Sequence, residues 1–245
     1  MEHKTKASEC VDISVVVPVY NEEENLPILI PQLEKVLKDL RQPYEMIFVD
    51  DGSSDKSQHV LREMAAGYPS LKILKFKRNC GLSAALLAGM REARGEIIVT
   101  LDSDLQNDPA DIPALLEQLD HHDMATGWRQ KREDPWLKKI SSKIANAVRN
   151  RLSGETIKDS ACTLRAFKKE CIRDIMVFNG MHRFLSTLVK MNGYRVIEVP
   201  VIHHPRKFGK SKYNIRNRMW RAFIDLLVVR WMKRRHIHYE IEERI

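Results

Sequence analysis

Acidic side chains follow a short apolar run in the stretch IIVTLDSDLQNDP, residues 97–109. Asp102 and Asp104 are two residues apart, and Gln106 follows two residues later. The apolar run predicts a buried β-strand that delivers these side chains onto a loop. Neighbouring carboxylates repel each other unless they share a cation, and oxygen ligands of this type suit Mg²⁺ or Mn²⁺. Because Mg²⁺ usually leaves positions for substrate phosphates, the stretch predicts a site for a metal-bound diphosphate.

Three other apolar runs precede this stretch, and each is followed by polar residues. They are Ile13 to Val17, Glu45 to Val49 and Leu71 to Phe76. Helical patterns follow, the first reaching about Leu40 and the third spanning about Leu82 to Ala93. Strands that alternate with helices predict right-handed crossovers and a parallel sheet, whose ligands bind outside the carboxyl ends of the strands. The polar residues after all four runs are therefore expected at one edge of the sheet.

Four motifs in consecutive order resemble those of family 2 glycosyltransferases with the GT-A fold. They are VVVPVYNEEENL (15–26), FVDDGSSD (48–55), RNCGLSAALLAG (78–89) and LDSDLQNDP (101–109). Two phrases, DLQNDPADIP (104–113) and FGKSKYN (208–214), are similar to the polyprenyl-phosphate hexosyltransferases, the group with dolichol-phosphate mannose synthases and bacterial undecaprenyl-phosphate sugar transferases. The resemblance covers about Ile13 to Asn214. It implies an α/β, Rossmann-like GT-A fold, with a mostly parallel sheet flanked by helices.

The resemblance also implies roles for individual residues. A nucleotide-sugar donor is expected to contact Pro18, Tyr20, Glu22, Asp50, Arg78 and Asp102. A Mg²⁺ or Mn²⁺ ion bridging its diphosphate is expected on Asp102, Asp104 and Gln106. The acceptor and the diphosphate are expected on Arg129, Arg165, Arg206, Lys210, Ser211 and Lys212, with Asp102, Asp104 and Arg129 as the catalytic set. For Asp50 and Asp51, helix capping and turn formation are alternative roles that DDGSSD also suits.

The nature of the acceptor follows from which carboxylates are present. A sugar hydroxyl needs a positioned carboxylate base, whereas a lipid phosphate is already anionic near neutral pH. Family members that elongate glycans place an acidic pair late in the domain, but the corresponding stretch NGMHRFLSTL (179–188) has no acid. Asp159 is the main later carboxylate that could serve as a base. The expected reaction is therefore metal-dependent, inverting transfer of a mannose- or glucose-type hexose to a polyprenyl (dolichyl or undecaprenyl) phosphate.

Three other functions are alternatives to polyprenyl-phosphate glycosylation. A family 2 enzyme acting on a glycan or another lipid hydroxyl shares almost every feature described so far. A nucleotidyltransferase is expected to carry a glycine-rich phosphate loop near its first strand, and VPVYNEEENL has none. A noncatalytic protein that binds anionic membranes or nucleic acid explains the basic residues but not the acidic strand end. No nucleic-acid partner is therefore expected.

Length and composition predict one compact domain. The chain has 245 residues, 43% of them hydrophobic, and no internal repeat or low-complexity linker divides it. The expected organisation is a polar extension over 1–11, a glycosyltransferase domain over 12–214 and a basic tail over 215–245. The polar N-terminus lacks an apolar signal core, which predicts a protein that is not secreted. The four cysteines lack CxxC spacing, which predicts free thiols in a reducing cytosol.

The net charge of +8 is concentrated near the C-terminus. Residues 206–235 hold eleven lysines and arginines against one acid, Asp225, so the rest of the chain is close to neutral. Apolar residues interleave with these charges, but the run Ala222 to Met232 is too short and too charged to span a bilayer, which needs about 20 apolar residues. A basic amphipathic helix can instead lie on an anionic membrane surface. The alternative is that the helix simply packs on its own domain.

Family members often continue from this region into transmembrane helices, whereas this chain stops at Ile245. The expectation is peripheral docking at the cytoplasmic face of the membrane, or docking on a separate membrane-anchoring subunit. A second helical pattern, from Trp136 to Leu152, is consistent with either core packing or a membrane-facing gate. The charged loop before it, Arg129 to Pro135, suits a segment that closes over substrate.

Overall fold

A computed structural model describes residues 10–129, 157–159, 162–208, 215–237 and 243, with only the helical backbone given for 215–222. Seven strands form one sheet: β1 Ile13–Val19, β2 Tyr44–Asp50, β3 Leu71–Lys75, β4 Ile97–Thr100, β5 Met124–Arg129, β6 Arg165–Lys168 and β7 Val196–Val201. Their order is β3-β2-β1-β4-β6-β5-β7. Only β6 runs antiparallel to its neighbours, β4 and β5. The predicted α/β class with a mostly parallel sheet is confirmed, and the four predicted strands all form.

Six α-helices flank the sheet in the described part of the chain. They are α1 Leu26–Asp39, α2 Ser57–Ala65, α3 Leu82–Glu92, α4 Ile112–Glu117, α5 Leu185–Met191 and α6 Ile215–Arg234. Short 3₁₀ turns lie at Pro109–Asp111, Gln118–Asp120, Lys169–Ile172 and Met181–Arg183. The helical pattern predicted between Trp136 and Leu152 lies outside the described residues. Among the residues described, no helix combines the length and the hydrophobicity needed to cross a membrane.

The burial of the central strand β1 shows that the sheet is covered on both faces. All seven of its residues, ISVVVPV, are buried, as a parallel strand between two helical layers requires. Alternate side chains enter opposite halves of the core: Val15 and Val17 pack on the side of α1, and Val16 packs on the side of α3. Helix α3 approaches closely because it carries Gly89, where a Cβ atom would collide with the Val16 side chain. Burial on both faces fixes the strand register and therefore the positions of the loops that follow.

A buried carboxylate fastens the amino edge of the sheet, opposite the loops that carry the candidate residues. Glu45 accepts hydrogen bonds from Ser14 Oγ at 2.6 Å and from Arg94 N at 2.7 Å, and Lys72 Nζ lies 2.6 Å from its Oε2. Burial alone raises the pKa of Glu45, but hydrogen bonds from Lys72, Ser14 and Arg94 outweigh it and lower the pKa to about 2. Three strands and the turn before β4 are thus held together by one ionised group.

Helix α6 begins at Ile215 and packs on the domain through one side. Leu226, Val229 and Met232 are buried in the same half of the core as α3 and α5. Other large apolar side chains of the helix are exposed: Phe223, Ile224, Leu227, Val228 and Trp231. The apolar residues therefore lie on two sides of the helix. Packing on the domain accounts for one side and leaves the other uncovered by the described residues.

Candidate functional site

The loops after β1 and β2 are fastened to each other at the carboxyl edge of the sheet. Asn21 has φ of 55°, a left-handed conformation that asparagine tolerates better than most residues. Its Oδ1 accepts a hydrogen bond from Ser54 N at 2.7 Å, and its own N–H donates to Ser53 Oγ at 3.0 Å. Glu22 N donates to Ser57 Oγ at 2.7 Å. The predicted donor residues of the first motif are thus held against those of the second.

Asp50, at the end of β2, is fully buried with one of its oxygens unpaired. Its Oδ1 accepts a hydrogen bond from Ser53 N at 2.9 Å. Its Oδ2 has no hydrogen-bond partner among the described residues. A buried carboxylate oxygen without a partner costs free energy, so its presence favours a ligand that supplies a donor. Contact between Asp50 and the donor stays a prediction.

Asp51 is used differently, because its carboxylate organises the loop after β3. Its oxygens accept hydrogen bonds from Cys80 N at 2.6 Å, Gly81 N at 2.8 Å and Asn79 Nδ2 at 3.0 Å. Gly52 allows this approach, since a Cβ atom there would lie 2.5 Å from the Arg78 carbonyl carbon. Asp51 thus fixes the loop that carries Arg78, whose side chain is exposed at the site's margin.

The loop after β4 carries the acidic pair and is held in a strained conformation. Ser103 Oγ donates to Pro18 O at 2.9 Å, which ties this loop to β1. Leu105 is buried with φ of 59°, a conformation that is unfavourable for a bulky residue. Gln106 N donates to Asp104 Oδ1 at 3.2 Å. The loop therefore keeps Asp102 and Asp104 at the sheet edge at a cost in backbone strain.

The electrostatics of the acidic pair indicate a shortage of positive charge. Burial and the nearby charge of Asp104 raise the pKa of Asp102 to about 6. A hydrogen bond from Thr163 and the charges of Arg165 and Arg129 oppose that rise without cancelling it. A group added at this site that carries positive charge would relieve the repulsion.

Arg206 supplies some of that charge from the segment after β7. Its Nη2 lies 2.6 Å from Asp104 Oδ2, and its Nη1 lies 3.9 Å from Glu22 Oε1. The same segment pairs with the acidic loop through its backbone, because His204 N donates to Gln106 O at 2.8 Å. The sequence predicted that Arg206 contacts the acceptor or the diphosphate, and the structure shows it paired with a predicted metal ligand.

Arg129 and Asp159 form a second ion pair behind the acidic loop. Arg129 Nε lies 2.6 Å from Asp159 Oδ2, and Arg129 Nη2 lies 2.8 Å from Asp159 Oδ1, a two-pronged pairing. Burial lowers the pKa of Arg129, but the hydrogen bonds and charge of Asp159 outweigh it, so the pKa is raised overall. Asp159 was the best candidate for a carboxylate base, and this pairing holds it as the counter-ion of an arginine instead.

Arg165 begins β6 and is fully buried at the same place. Burial lowers its pKa, and the nearby Cys162, Asp102 and Asp159 act in the opposite direction. A guanidinium removed from water is costly unless anions surround it. Arg165 therefore contributes a fixed positive charge beside Asp102 rather than a flexible surface contact.

The residues present fit a divalent cation of the kind predicted. Two carboxylates and an amide oxygen are hard ligands, and Mg²⁺ commonly takes one or two carboxylates together with substrate phosphates. In the described part of the chain, no three His, Cys, Asp or Glu side chains converge into a protein-only metal cage.

The structure thus brings together most of the predicted residues at one edge. The exceptions are Lys210, Ser211 and Lys212, which lie outside the described residues. Sequence reasoning missed two positioning roles, those of Asp51 and Asn21. The dense run of Asp and Ser in DDGSSD was the available signal for such a hydrogen-bonded loop, although nothing in it indicated the partners.

Residues 14–176, more than half of the chain, match the family described as glycosyl transferase family 2. This chain belongs to glycosyltransferase family 2. The matched region spans β1 to β6 and contains the acidic pair, Asp50, Arg129 and Arg165. It ends before the segment that holds Arg206.

Solved structures similar to this family 2 chain share its fold at low identity. Glucosyl-3-phosphoglycerate synthase from Mycobacterium tuberculosis, in complex with Mn²⁺ and UDP-glucose, is 19% identical with a TM-score of 0.65, over 90% of this chain and 79% of that one. A mannosyltransferase from Pyrobaculum calidifontis, in complex with GDP-mannose and Mn²⁺, is 24% identical with a TM-score of 0.59, over 93% and 65%. S. aureus TarS, in complex with UDP-GlcNAc, is 16% identical with a TM-score of 0.62, over 91% and 67%. At these identities the likeness supports the fold alone.

Proposed function

We propose that this family 2 glycosyltransferase transfers a mannose- or glucose-type hexose from a nucleoside-diphosphate sugar to a polyprenyl phosphate, with inversion and with Mg²⁺ or Mn²⁺. The observation that carries the proposal is the two-pronged pairing of Asp159 with Arg129, which engages the main candidate for a carboxylate base, beside an acidic loop that is itself paired with Arg206. The narrower resemblance of DLQNDPADIP and FGKSKYN to polyprenyl-phosphate hexosyltransferases supports the same acceptor.

The donor nucleoside lies, in this proposal, against the ends of β1 and β2. The unpaired Oδ2 of Asp50 accepts a hydrogen bond from the base or ribose, and the loop carrying Pro18, Tyr20 and Glu22 forms the wall. Arg78 lies on the loop fixed by Asp51 and contacts the donor from the other side. Because these loops are already joined by hydrogen bonds, little ordering is needed when the donor binds.

Asp102, Asp104 and Gln106 of the acidic loop would hold the metal that accompanies the donor. When bound, a divalent cation neutralises the diphosphate and stabilises the departing nucleoside diphosphate. Complexes of two fold neighbours with Mn²⁺ and a nucleotide sugar support this assignment.

The acceptor phosphate supplies its own nucleophile. One of its anionic oxygens attacks the anomeric carbon, the bond from that carbon to the diphosphate oxygen breaks, and no proton has to be removed. Asp159 cannot readily serve as a base for a hydroxyl, because both of its oxygens are held by Arg129. The predicted acceptor residues Arg129, Arg165, Arg206, Lys210, Ser211 and Lys212 provide the positive field that draws the phosphate toward an anionic donor.

The direct test is a transfer assay with UDP- and GDP-sugars, Mn²⁺ or Mg²⁺, and a short polyprenyl phosphate in detergent. An acid-labile lipid-linked sugar is expected from one donor, with no product when the free polyprenol replaces its phosphate. Asp104→Ala is expected to abolish transfer and keep the fold, and Asp120→Ala, at the opposite edge of the sheet, serves as the control. Transfer to polyprenol or to a glycan instead would select the hydroxyl-acceptor alternative.

A membrane surface is the proposed setting for this reaction. The uncovered side of α6 presents Ile224 and Trp231 with 56% and 61% of their surfaces exposed. Lys233 and Arg234 follow in the last turn, which suits an interfacial helix on anionic lipid at the cytoplasmic face or a separate anchoring subunit. Salt-sensitive flotation with anionic liposomes, reduced by Trp231→Glu, is expected. Equal recovery with neutral liposomes would contradict a lipid partner.

A further inference from the structure

Arg206 is bonded to the acidic loop at a position where a cation is expected. Its guanidinium spans two carboxylates, at 2.6 Å from Asp104 Oδ2 and 3.9 Å from Glu22 Oε1. The other oxygen of Asp104 is taken by Gln106 N. The side chain of Arg206 keeps 30% of its surface exposed, whereas those of Asp104 and Glu22 keep only 12% and 9%. The arginine therefore covers the solvent side of two largely buried acids.

The charge balance gives a reason for this contact. Among the residues that the structure describes, four carboxylates at this edge are linked to three guanidinium groups. The carboxylates are those of Asp102, Asp104, Glu22 and Asp159, and the guanidinium groups are those of Arg129, Arg165 and Arg206. Removing Arg206 would leave two unbalanced negative charges at a buried place. A divalent cation would add two positive charges and make the positive charge of Arg206 redundant beside Asp104.

We propose that Arg206 is an internal counter-ion that occupies the acidic loop until a divalent cation displaces it. The inference rests on the metal assignment made above and adds a competition between the ion and this chain's own arginine. Asp104 Oδ2, which now accepts from Arg206, becomes available to the ion. The released guanidinium is then free to bind phosphate oxygens of the donor or the acceptor.

Three contacts made by the segment after β7 keep the released arginine close to the site. His204 N donates to Gln106 O at 2.8 Å, and Ile202 N donates to Asp111 Oδ2 at 2.7 Å. His204 Nε2 also lies 2.9 Å from Asp108 Oδ2. These three contacts hold residues 202–204 along the acidic loop whether or not the Arg206 side chain is bound to Asp104. Displacement therefore needs only a change of side-chain rotamer, and the charge stays within reach of the diphosphate.

The test measures Mn²⁺ binding without donor, by the loss of the free Mn²⁺ signal in electron paramagnetic resonance. Arg206→Ala is expected to bind Mn²⁺ about threefold to tenfold more tightly than the wild type, because the competing ion pair is gone. Its turnover in the transfer assay is expected to fall. Lys207→Ala is the matched control, since it removes the same charge one residue later from an exposed position and should leave Mn²⁺ affinity nearly unchanged.

Opposite changes in metal affinity and turnover separate this role from a purely structural one, which would weaken both. Equal or weaker Mn²⁺ binding by Arg206→Ala overturns the inference and leaves the proposed function standing. An equal gain in Lys207→Ala also overturns it, because long-range charge would then suffice. If neither the wild type nor Arg206→Ala binds Mn²⁺, with or without donor, the metal assignment itself fails. Arg206→Gln, which keeps hydrogen-bonding capacity without charge, is expected to repeat the gain if the alanine variant is unstable.

Discussion

Adjacent aspartates at the end of β2 give opposite responses to the same substitution. Asp50→Asn and Asp51→Asn each replace a buried carboxylate with an amide of nearly equal size. Asp51 accepts three hydrogen bonds, from Cys80 N, Gly81 N and Asn79 Nδ2, and two of these reach the same oxygen. An asparagine can keep the two bonds at that oxygen, but its NH₂ group then faces Cys80 N.

The expected cost of Asp51→Asn follows from those contacts. One charge-assisted hydrogen bond, from the part-buried Cys80 N, is lost, worth about 1.5–3 kcal/mol. A loss of about 1.5–3 kcal/mol corresponds to a fall in Tm of roughly 3–12 °C for a protein of this size. Asp50→Asn can keep the bond from Ser53 N at its amide oxygen and replaces only the unpaired Oδ2 with an NH₂ group. Its stability is expected to change by less than about 1 kcal/mol.

The two variants are also expected to differ in their affinity for the donor. Asp50→Asn is expected to weaken nucleotide-sugar binding by about 10- to 100-fold, the worth of one hydrogen bond to a charged group. Thermal denaturation and isothermal titration calorimetry with UDP- and GDP-sugars measure the two quantities on the same samples. If Asp51→Asn keeps its Tm and loses donor affinity while Asp50→Asn behaves like the wild type, the roles assigned to these residues are wrong.

Three further perturbations test the framework behind the site. Glu45→Gln is expected to lower the unfolding free energy by about 2 kcal/mol at pH 7, after a discount for the exposed Lys72 and Arg94. Because the folded pKa of Glu45 is lowered from 4.5 to about 2, this difference should be complete above pH 4.5 and shrink toward pH 2 in urea titrations. A difference that grows on acidification would contradict the ion pairing. Asp159→Asn leaves Arg129 buried without its counter-ion and is expected to cost about 3–5 kcal/mol, measured by urea denaturation. Recovery of most of that loss in the double variant with Arg129→Gln would confirm the pairing, and additive losses would refute it. Gly89→Ala forces α3 away from β1 and is expected to cost about 1–3 kcal/mol by thermal denaturation, whereas an unchanged Tm would mean that this contact is loose.

The sheet and its loop edge were predictable because their signals are local. Runs such as ISVVVPV are apolar apart from one serine, and a strand covered on both faces accommodates that pattern in a parallel sheet. The end of each apolar run marks the end of a strand. Because the strands are parallel, Asp50 and Asp102 are then expected at the same edge without knowledge of any contact. The antiparallel strand β6 was not anticipated, since its four residues RAFK carry no pattern that sets direction.

The sequence by itself determined the fold class, the acidic loop with Asp102 and Asp104, and the concentration of basic charge near the C-terminus. Each of these features depends on residue type, short spacing or composition. Such features can be recognised from residues that are neighbours in the chain. Only the tertiary structure decided which charges meet: Arg206 with Asp104 across 102 residues, Arg129 with Asp159, and Asp51 with the loop after β3. Partners so distant in the chain are selected by the packing of the elements between them, and a carboxylate's sequence neighbours do not reveal whether it is free or already paired.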